Sequence, residues 1–520
     1  MPIDAMHKEL LVRMSLFLGN KDRAQLGCTA KPFKNLDIEK ALCSESVTID
    51  YYLLDKIRCY HLNIATDQAI NQPRTESNTS AIKELIIADD AARHFTNNDL
   101  TKVAELGFIH NQTHMVNLDN CTQIKDLSPL ANCTALTILD LSHCKQITNQ
   151  ILSTLPVLHT LKFFNLQGCH RITDLSPLDS CTDLTYLNLS KCHQITDQIL
   201  STLPVLPELT ALSLRHCGQI TNLRPLQSCT ALTDLYLIMC GRITDLSSLG
   251  SCTALTNLSL WGCNQITDQI LSTLPVPLEL TCLDLTRCGQ ITDLSQLASC
   301  TTLKILYLRG CTQIEDFSKL ASCTLLTDLN LAWCDQITDL RQLASCTSLT
   351  NLNLGMCRRT TDLSSLGSCT ALTNLSLWGC DHITDQILST LPVLHTLKGL
   401  ELSSCTGITD LSTLAYFTAL TSLNLKFCNE ITDLSPLASC KKLTSLDLLN
   451  CYQITDLSPL ASCTSLTNLD LRSCTSIRNL SPLINHPTLS NLIDRNGEKV
   501  DLASLSNTQR LYPLNICLLS

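Results

Sequence analysis

The 520-residue chain is poor in charge, in aromatics and in long apolar runs. Charged residues make up 16% and aromatics 4%, and glycine and proline number only 16 and 17. Hydrophobic residues still reach 44%, which excludes a predominantly disordered chain. There is no basic excess: 37 Lys and Arg face 47 Asp and Glu, a net charge of −10, so a nucleic-acid partner is not expected. No apolar run approaches the roughly 18 residues of a membrane span, so no membrane partner is expected either. The stretch from Leu10 to Leu18 is broken by Arg13 and lacks a small-residue cleavage site, so no secretory leader is expected. Phosphate loop, nucleophile elbow, C-x-x-C pair and zinc signature are all missing. His110 and His114 have i,i+4 spacing but no companion ligands. The expectation is a protein that is not an enzyme and has no catalytic residue, no resident cofactor and no metal.

What the chain has in excess is cysteine, at 31. Secreted disulfide scaffolds are short and evenly numbered in Cys. A long chain with an odd count points instead to free thiols in a reducing, cytoplasmic or nucleocytoplasmic compartment. The spacing gives their role. Sixteen cysteines, from Cys121 to Cys474, are separated by eleven intervals of 23 residues and four of 25. A fixed period in the twenties is the mark of a solenoid built from stacked units, and it overrides a division into three or four globular domains.

The unit can be read from Cys451 to Cys474, CYQITDLSPLASCTSLTNLDLRSC. Leu466, Leu469 and Leu471 alternate as an inward-facing strand, and Cys474 closes it. Asp456 is placed to cap a short helical segment that Pro459 begins. A second cysteine follows the ladder cysteine by twelve residues in ten units, and Phe417 replaces it once, so that site wants an apolar group. The 25-residue form, ITDQILSTLPVPLELTCLDL from Ile266, has helical spacing over Gln269 to Leu274 and predicts longer convex helices there. The L-x-x-L-x-L-x-x-C pattern resembles the leucine-rich repeat, with likeness to both bacterial and phosphatase-regulator types and to the cysteine-containing type. This implies an α/β fold: a right-handed horseshoe solenoid of about 16 repeats with a parallel concave sheet, over residues 110–496. Residues 497–520 are expected to cap its C-terminal end.

Each unit offers four variable positions on the concave face. With the first leucine as position 1 and the ladder cysteine as position 9, these are positions 3, 5, 7 and 8; in Leu372–Cys380 they hold Asn374, Ser376, Trp378 and Gly379. All three tryptophans of the chain, Trp261, Trp333 and Trp378, fall on them, as do Tyr236, Met239, Tyr307, Met356 and Phe427. Arg287 and Arg309 share the face with Arg215. Aromatics, Met and Arg favour the centres of protein interfaces, so these residues are the candidate partner-binding set. Residues 245–276 and 362–393 are identical except at 264–265 and 381–382, so Trp261 and Trp378 read as copies of one event. Lys191, Arg215, Arg287, Arg309, Lys426 and Arg472 are opposed by Asp140, Asp234, Asp284, Asp328, Glu401, Asp447 and Asp470. That balance argues against a phosphate backbone and for a folded protein or peptide.

Residues 6–36 fall outside the repeat. Met6, Leu10, Leu11, Met14, Phe17 and Leu18 have helical spacing, and Gly19-Asn20 stops that helix before Asp22 caps the next. A further pattern follows at Leu26, Ala30 and Phe33. This small all-α segment, residues 1–43, resembles an F-box: Glu9, Leu10, Leu11, Leu18 and Asp22 match its first half, and Cys28, Lys31 and Phe33 approximate its end. Met6 and His7 stand where Leu-Pro is usual, and Arg23 where Leu is usual. The resemblance implies a non-catalytic substrate receptor of an SCF-type ubiquitin ligase. Met6, His7, Glu9, Leu10, Leu11, Phe17, Leu18, Asp22, Leu26 and Phe33 would bind the adaptor that links to cullin, and the concave face would hold the substrate. The alternatives are a leucine-rich-repeat scaffold without a ubiquitin role, in which the segment caps the solenoid, or a bacterial effector acting in the host cytoplasm. Between these parts, residues 44–109 read as a connecting region with one irregular leading repeat: a strand over Ile82–Ile87 and a helix over Asn98–Leu106.

Overall fold

A computed structural model describes residues 46–49, 83–155, 158–275, 279–500 and 502. Its organising feature follows from the L-x-x-L-x-L pattern. Three residues of each unit are extended, so the middle leucine points inward while its two neighbours face out. In Asn468–Asp470, for example, Leu469 is 1% exposed and sits between half-exposed or exposed neighbours.

Nineteen strands pair in parallel in chain order, from Ser46–Ile49 and Glu84–Ile87 through Met115–Asn117 to Asn491–Ile493. Register is kept by leucine against leucine: Leu352 pairs with Leu375, Leu375 with Leu400 and Leu400 with Leu423. The sheet stays open, the form expected of a right-handed leucine-rich-repeat horseshoe. At its far end Lys499–Val500 folds back antiparallel on Leu492 and Ile493, across the Asn496-Gly497 turn, where Gly497 takes a φ of 88°.

Behind the sheet runs one continuous core of Leu, Ile and Cys rungs. The expected capping aspartate acts one step earlier than a helix cap. Asp456 Oδ1 accepts the N–H of Ser458 at 2.8 Å, and a 3₁₀ turn over Ser458–Ser462 follows, with Pro459 in its first turn. The 25-residue units differ in helix type, not in length, which corrects the expectation of longer helices. Asp268–Leu271 is a single α-helical turn that opens at Thr267, whereas the 23-residue units carry 3₁₀ turns of three to five residues. The two extra residues fall in the link after the helix, which has to bridge back to the sheet.

The leading region also departs from expectation. The strand and helix lie within two residues of their predicted ends, at Glu84–Ile87 and Asn97–Glu105, and the helix opens with a capping box between Thr96 and Asp99. Yet two strands precede the first regular unit, not one, because Ser46–Ile49 pairs with Glu84–Ile87.

Candidate functional site: the concave face and its cysteine ladder

The ladder cysteines have a structural task. In each of fifteen consecutive units the thiol donates to the position-6 leucine carbonyl of the preceding unit, from Cys144 to Leu118 O at 3.1 Å through to Cys474 to Leu448 O at 3.0 Å. The same carbonyl accepts the backbone N–H of its own unit's cysteine, as Leu118 O does from Cys121. A donor thiol must keep its proton. Burial pushes Cys311 and Cys428 up to about 12 and raises Cys334 well above the ordinary thiol value. A buried thiol held in its protonated form is a poor nucleophile and a poor metal ligand, and among the described residues no group of three or more His, Cys, Asp or Glu is placed to hold a metal ion. The second cysteines are also buried; Cys463 reaches Leu437 O at 3.2 Å, but most of their carbonyl contacts are looser, up to 3.7 Å for Cys346 and 3.8 Å for Cys369. Phe417 fits that slot at 1% exposure, as an apolar site predicts.

Position 8, just before the ladder cysteine, is left-handed in all sixteen units. Its N–H reaches across to the next unit, as Met239 N does to Trp261 O at 2.7 Å, and this fixes the turn. Glycine fills it four times, but Met239, Arg287, Trp333, Met356 and Phe427 hold φ between 59° and 64°. A side chain in this region costs roughly 1–2 kcal/mol relative to the right-handed form. Bulky residues therefore stand on the concave rim at some expense to stability.

Position 5 explains most of the acidic residues on the face. In eleven units its Asn, Asp or Glu accepts the N–H of position 7, which the ending strand leaves unpaired; distances run from 2.8 Å for Asn117 to 3.1 Å for Asp447. Asp140, Asp284, Glu401, Asp447 and Asp470 all do this. They had counted as surface charges in the sequence, and the near-balance of charge is corrected accordingly. Burial raises the Asp140 and Asp284 carboxyls above the usual range despite these hydrogen bonds. Five units omit the cap, and position 7 there is Arg215, Ile238, Trp261, Arg309 and Trp378, whose N–H groups find no acceptor among the described residues. Both position-7 tryptophans lie in uncapped units, whereas Gln167, Lys426, Leu449 and Arg472 keep the cap at the same position.

The candidate residues gather into two neighbourhoods. In the first, the Arg215 guanidinium lies 4.9 Å from the Tyr236 ring centre and that of Arg287 lies 5.5 Å from Trp261. Met239 is 41% exposed, whereas Tyr236 is nearly buried. Tyr307 and Arg309 lie on the adjoining rung, Arg309 O accepting from Arg287 N at 2.7 Å. In the second, Trp333 and Trp378 meet edge to face at 6.0 Å. This is possible because Gly355 lies between them: a side chain there would occupy the space of the Trp378 indole. Met356 packs against Gly379 in the way that Met239 packs against Gly262, so a Met–Trp–Gly cluster recurs, with each Met just ahead of its duplicated block. Phe427 is exposed but stands apart, beside the Lys426–Asp447 ion pair of 3.0 Å. One pair escaped the sequence reading: Phe163 and Tyr186 stack at 4.6 Å with rings 1° from parallel. Both occupy position 3 in adjacent units, so reading the repeat down its columns would have found them. The adaptor set, from Met6 to Phe33, lies outside the described residues.

Sequence comparison finds leucine-rich repeats in the same stretch of chain. The family described as Leucine Rich repeats (2 copies) matches residues 159–204, 279–322, 395–439 and 441–485, and Leucine Rich repeat matches 132–155 and 322–340. The chain carries leucine-rich repeats at these residues. Among solved structures, a Leptospira interrogans leucine-rich-repeat protein shares 20% identity over 69% of this chain and 89% of its own, with a TM-score of 0.53. That likeness is one of fold. An internalin, InlF, of Listeria monocytogenes shares 27% identity over 64% of this chain and 81% of its own, at a TM-score of 0.40. The functional domain of InlJ from the same species, described as including a cysteine ladder, shares 22% over 72% and 71%, at 0.44. No curated protein matches the sequence. The repeats make the chain a protein-interaction scaffold. No helix among the described residues is long and apolar enough to cross a membrane.

Proposed function

We propose that this leucine-rich-repeat protein is a receptor subunit that holds a folded protein or peptide on its concave face and docks on the adaptor of an SCF-type, cullin-based ubiquitin ligase through residues 6–36. The observation that carries the binding half is that five units give up the position-5 cap, and both tryptophans found at position 7, Trp261 and Trp378, stand in those units. A structural wall has no use for that exchange, whereas a binding surface gains both side chains and donors from it. The ligase half rests on sequence, on Glu9, Leu10, Leu11, Leu18 and Asp22 ahead of a cysteine-type solenoid. The receptor performs no chemistry. It raises the effective concentration of substrate lysines near a charged conjugating enzyme.

The test uses the full-length chain and purified SCF adaptor. Wild type is expected to retain the adaptor, and Leu10→Ala/Leu18→Ala is expected to lose it with the solenoid still folded by circular dichroism. Absence of adaptor binding, or binding untouched by the double change, overturns the ligase half. The concave scaffold would then stand without a ubiquitin role, with residues 6–36 as an end cap.

A further inference from the structure

Resting on the concave face as the binding surface, the partner's chemistry can be read from five consecutive rungs, those of Ala211–Ser213, Asp234–Tyr236, Asn257–Ser259, Cys282–Asp284 and Ile305–Tyr307. Four of the five uncapped N–H groups are here, on Arg215, Ile238, Trp261 and Arg309. So are three arginines, Arg215, Arg287 and Arg309, none of which has an ion-pair partner among the described residues. Elsewhere on the face Lys426 pairs with Asp447 at 3.0 Å and Arg472 with Asp470 at 2.6 Å, while Lys191, on the rung before the cluster, has no ion pair among the described residues. Arg215 Nε is buried without a partner. The acids of these rungs are already engaged. Asp284 is 2% exposed and takes the N–H of Thr286 and the Ser259 hydroxyl, while Asp234 accepts from Asn257 and Thr233. Arg287 and Arg309 are exposed and Arg215 and Trp261 half-buried, so two exposed guanidiniums stand beside an indole on rungs whose uncapped N–H groups lack an acceptor among the described residues.

We propose that the rungs from Arg215 to Arg309 bind an Asp/Glu-rich peptide segment of a partner protein. Its carboxylates would take the Arg287 and Arg309 guanidiniums and the uncapped N–H groups, and an apolar residue between them would rest on Trp261 and Met239. Guanidinium and carboxylate match as two-point forks, which favours carboxylates over a diffuse anion. Four strand spacings separate the first rung from the last, roughly 19 Å, the span of about six extended residues. A nucleic acid fits less well. Three arginines cannot neutralise a continuous phosphate chain.

The experiment measures fluorescence anisotropy of three fluorescein-labelled probes with the full chain. These are a ten-residue peptide alternating Glu and Leu, the same peptide with Gln for Glu, and a ten-nucleotide single-stranded oligonucleotide. The Glu peptide is expected to bind at least tenfold more tightly than the Gln peptide and the oligonucleotide, and to weaken as salt rises. Arg287→Asn/Arg309→Gln is expected to remove that preference; Asn suits the left-handed φ of 62° at position 287, so the fold is kept, as circular dichroism would confirm. Equal binding of the two peptides, preference for the oligonucleotide, or a preference that survives the double variant overturns the proposal. Trp261→Ala separates the two layers. Gln and Glu peptides that bind equally, yet both lose affinity in Trp261→Ala, sink the charge inference alone. If Lys441→Ala/Lys442→Ala, on the opposite side, abolishes binding while Trp261→Ala does not, the concave reading itself falls.

Discussion

Replacing single cysteines by serine separates the two cysteine positions, because they bury the same atom against different neighbours. Cys334 and Cys346 are both 0% exposed. The Cys334 thiol donates to Leu308 O at 3.2 Å, while the Cys346 thiol stands 3.7 Å from Leu320 O. In Cys334→Ala the lost sulfur is worth about a buried methylene, ~0.8 kcal/mol. A weak hydrogen bond lies at the low end of the net ~0.5–1.5 kcal/mol range. The small cavity adds a few tenths at about 24 cal/mol per Å³. The whole comes to about 2 kcal/mol. Cys334→Ser keeps a donor facing a close carbonyl, so it is expected to lose about 1 kcal/mol or less. Cys346→Ser buries a hydroxyl too far from Leu320 O to bond it, with only the Ser345 hydroxyl beside it, and is expected to cost more, about 1–3 kcal/mol. Stacked repeats feel mainly their neighbours, so each change acts locally and the denaturation midpoints can be compared directly. Urea unfolding followed by circular dichroism is the assay, with native thiol labelling mapped by mass spectrometry as its companion. Labelling of the native solenoid should spare every ladder cysteine and, among the described cysteines, reach only the half-exposed Cys282, slowly, since burial and nearby carboxylates push it up to about 12. Serine tolerated at 346 but not at 334, or ladder thiols that label in the folded protein, would refute the donor role.

Asp140→Asn is expected to be neutral or stabilising near pH 7, because Asn does the same capping work at positions 165 and 188 without a charge to bury. The Asp140 carboxyl is raised in the folded state, so its unfavourable contribution is present above the folded pKa and fades as pH falls toward the unfolded value of about 3.9. The gain should therefore shrink in acid when thermal midpoints are compared from pH 7 to pH 4, and a gain that grows in acid would reverse the reasoning. Asp140→Ala, which uncaps Ser142, should instead destabilise by about 1 kcal/mol. Gly355→Ala should expel the Trp378 indole from its contact with Trp333, shifting tryptophan emission to the red without unfolding the sheet. An unchanged spectrum would show that the ring does not rest there.

The solenoid was legible because its period is written in a residue seldom used so regularly. Cys121 to Cys474 mark the ladder, the leucines at 466, 469 and 471 mark one strand, and both lie where the sequence put them. The unread parts have physical reasons. Asp140 and Asn165 do one job, but in a sequence the first looks like a surface charge. The helix type of the 25-residue units depends on where an N–H finds its partner, and a helical spacing of apolar residues does not reveal that. The two leading strands carry no ladder cysteine, so the ruler does not reach Ser46–Ile49. The concave candidates share the positions that the repeat assigns them. Which of them touch depended on residues without side chains, Gly355 and Gly262, that let Trp378 and Met239 lie flat.

Binding by the concave face is tested most directly by placing a photo-crosslinking benzoylphenylalanine in the full-length chain at 261 or 378, and in parallel at 205 or 416. Val205 and Tyr416 are 67% and 65% exposed and lie in the convex connections. Irradiation in a eukaryotic extract should give adducts of shared mass at the two concave positions and none of that mass at the convex ones. Adducts that form equally on the convex side, or only there, would contradict a partner held within the horseshoe.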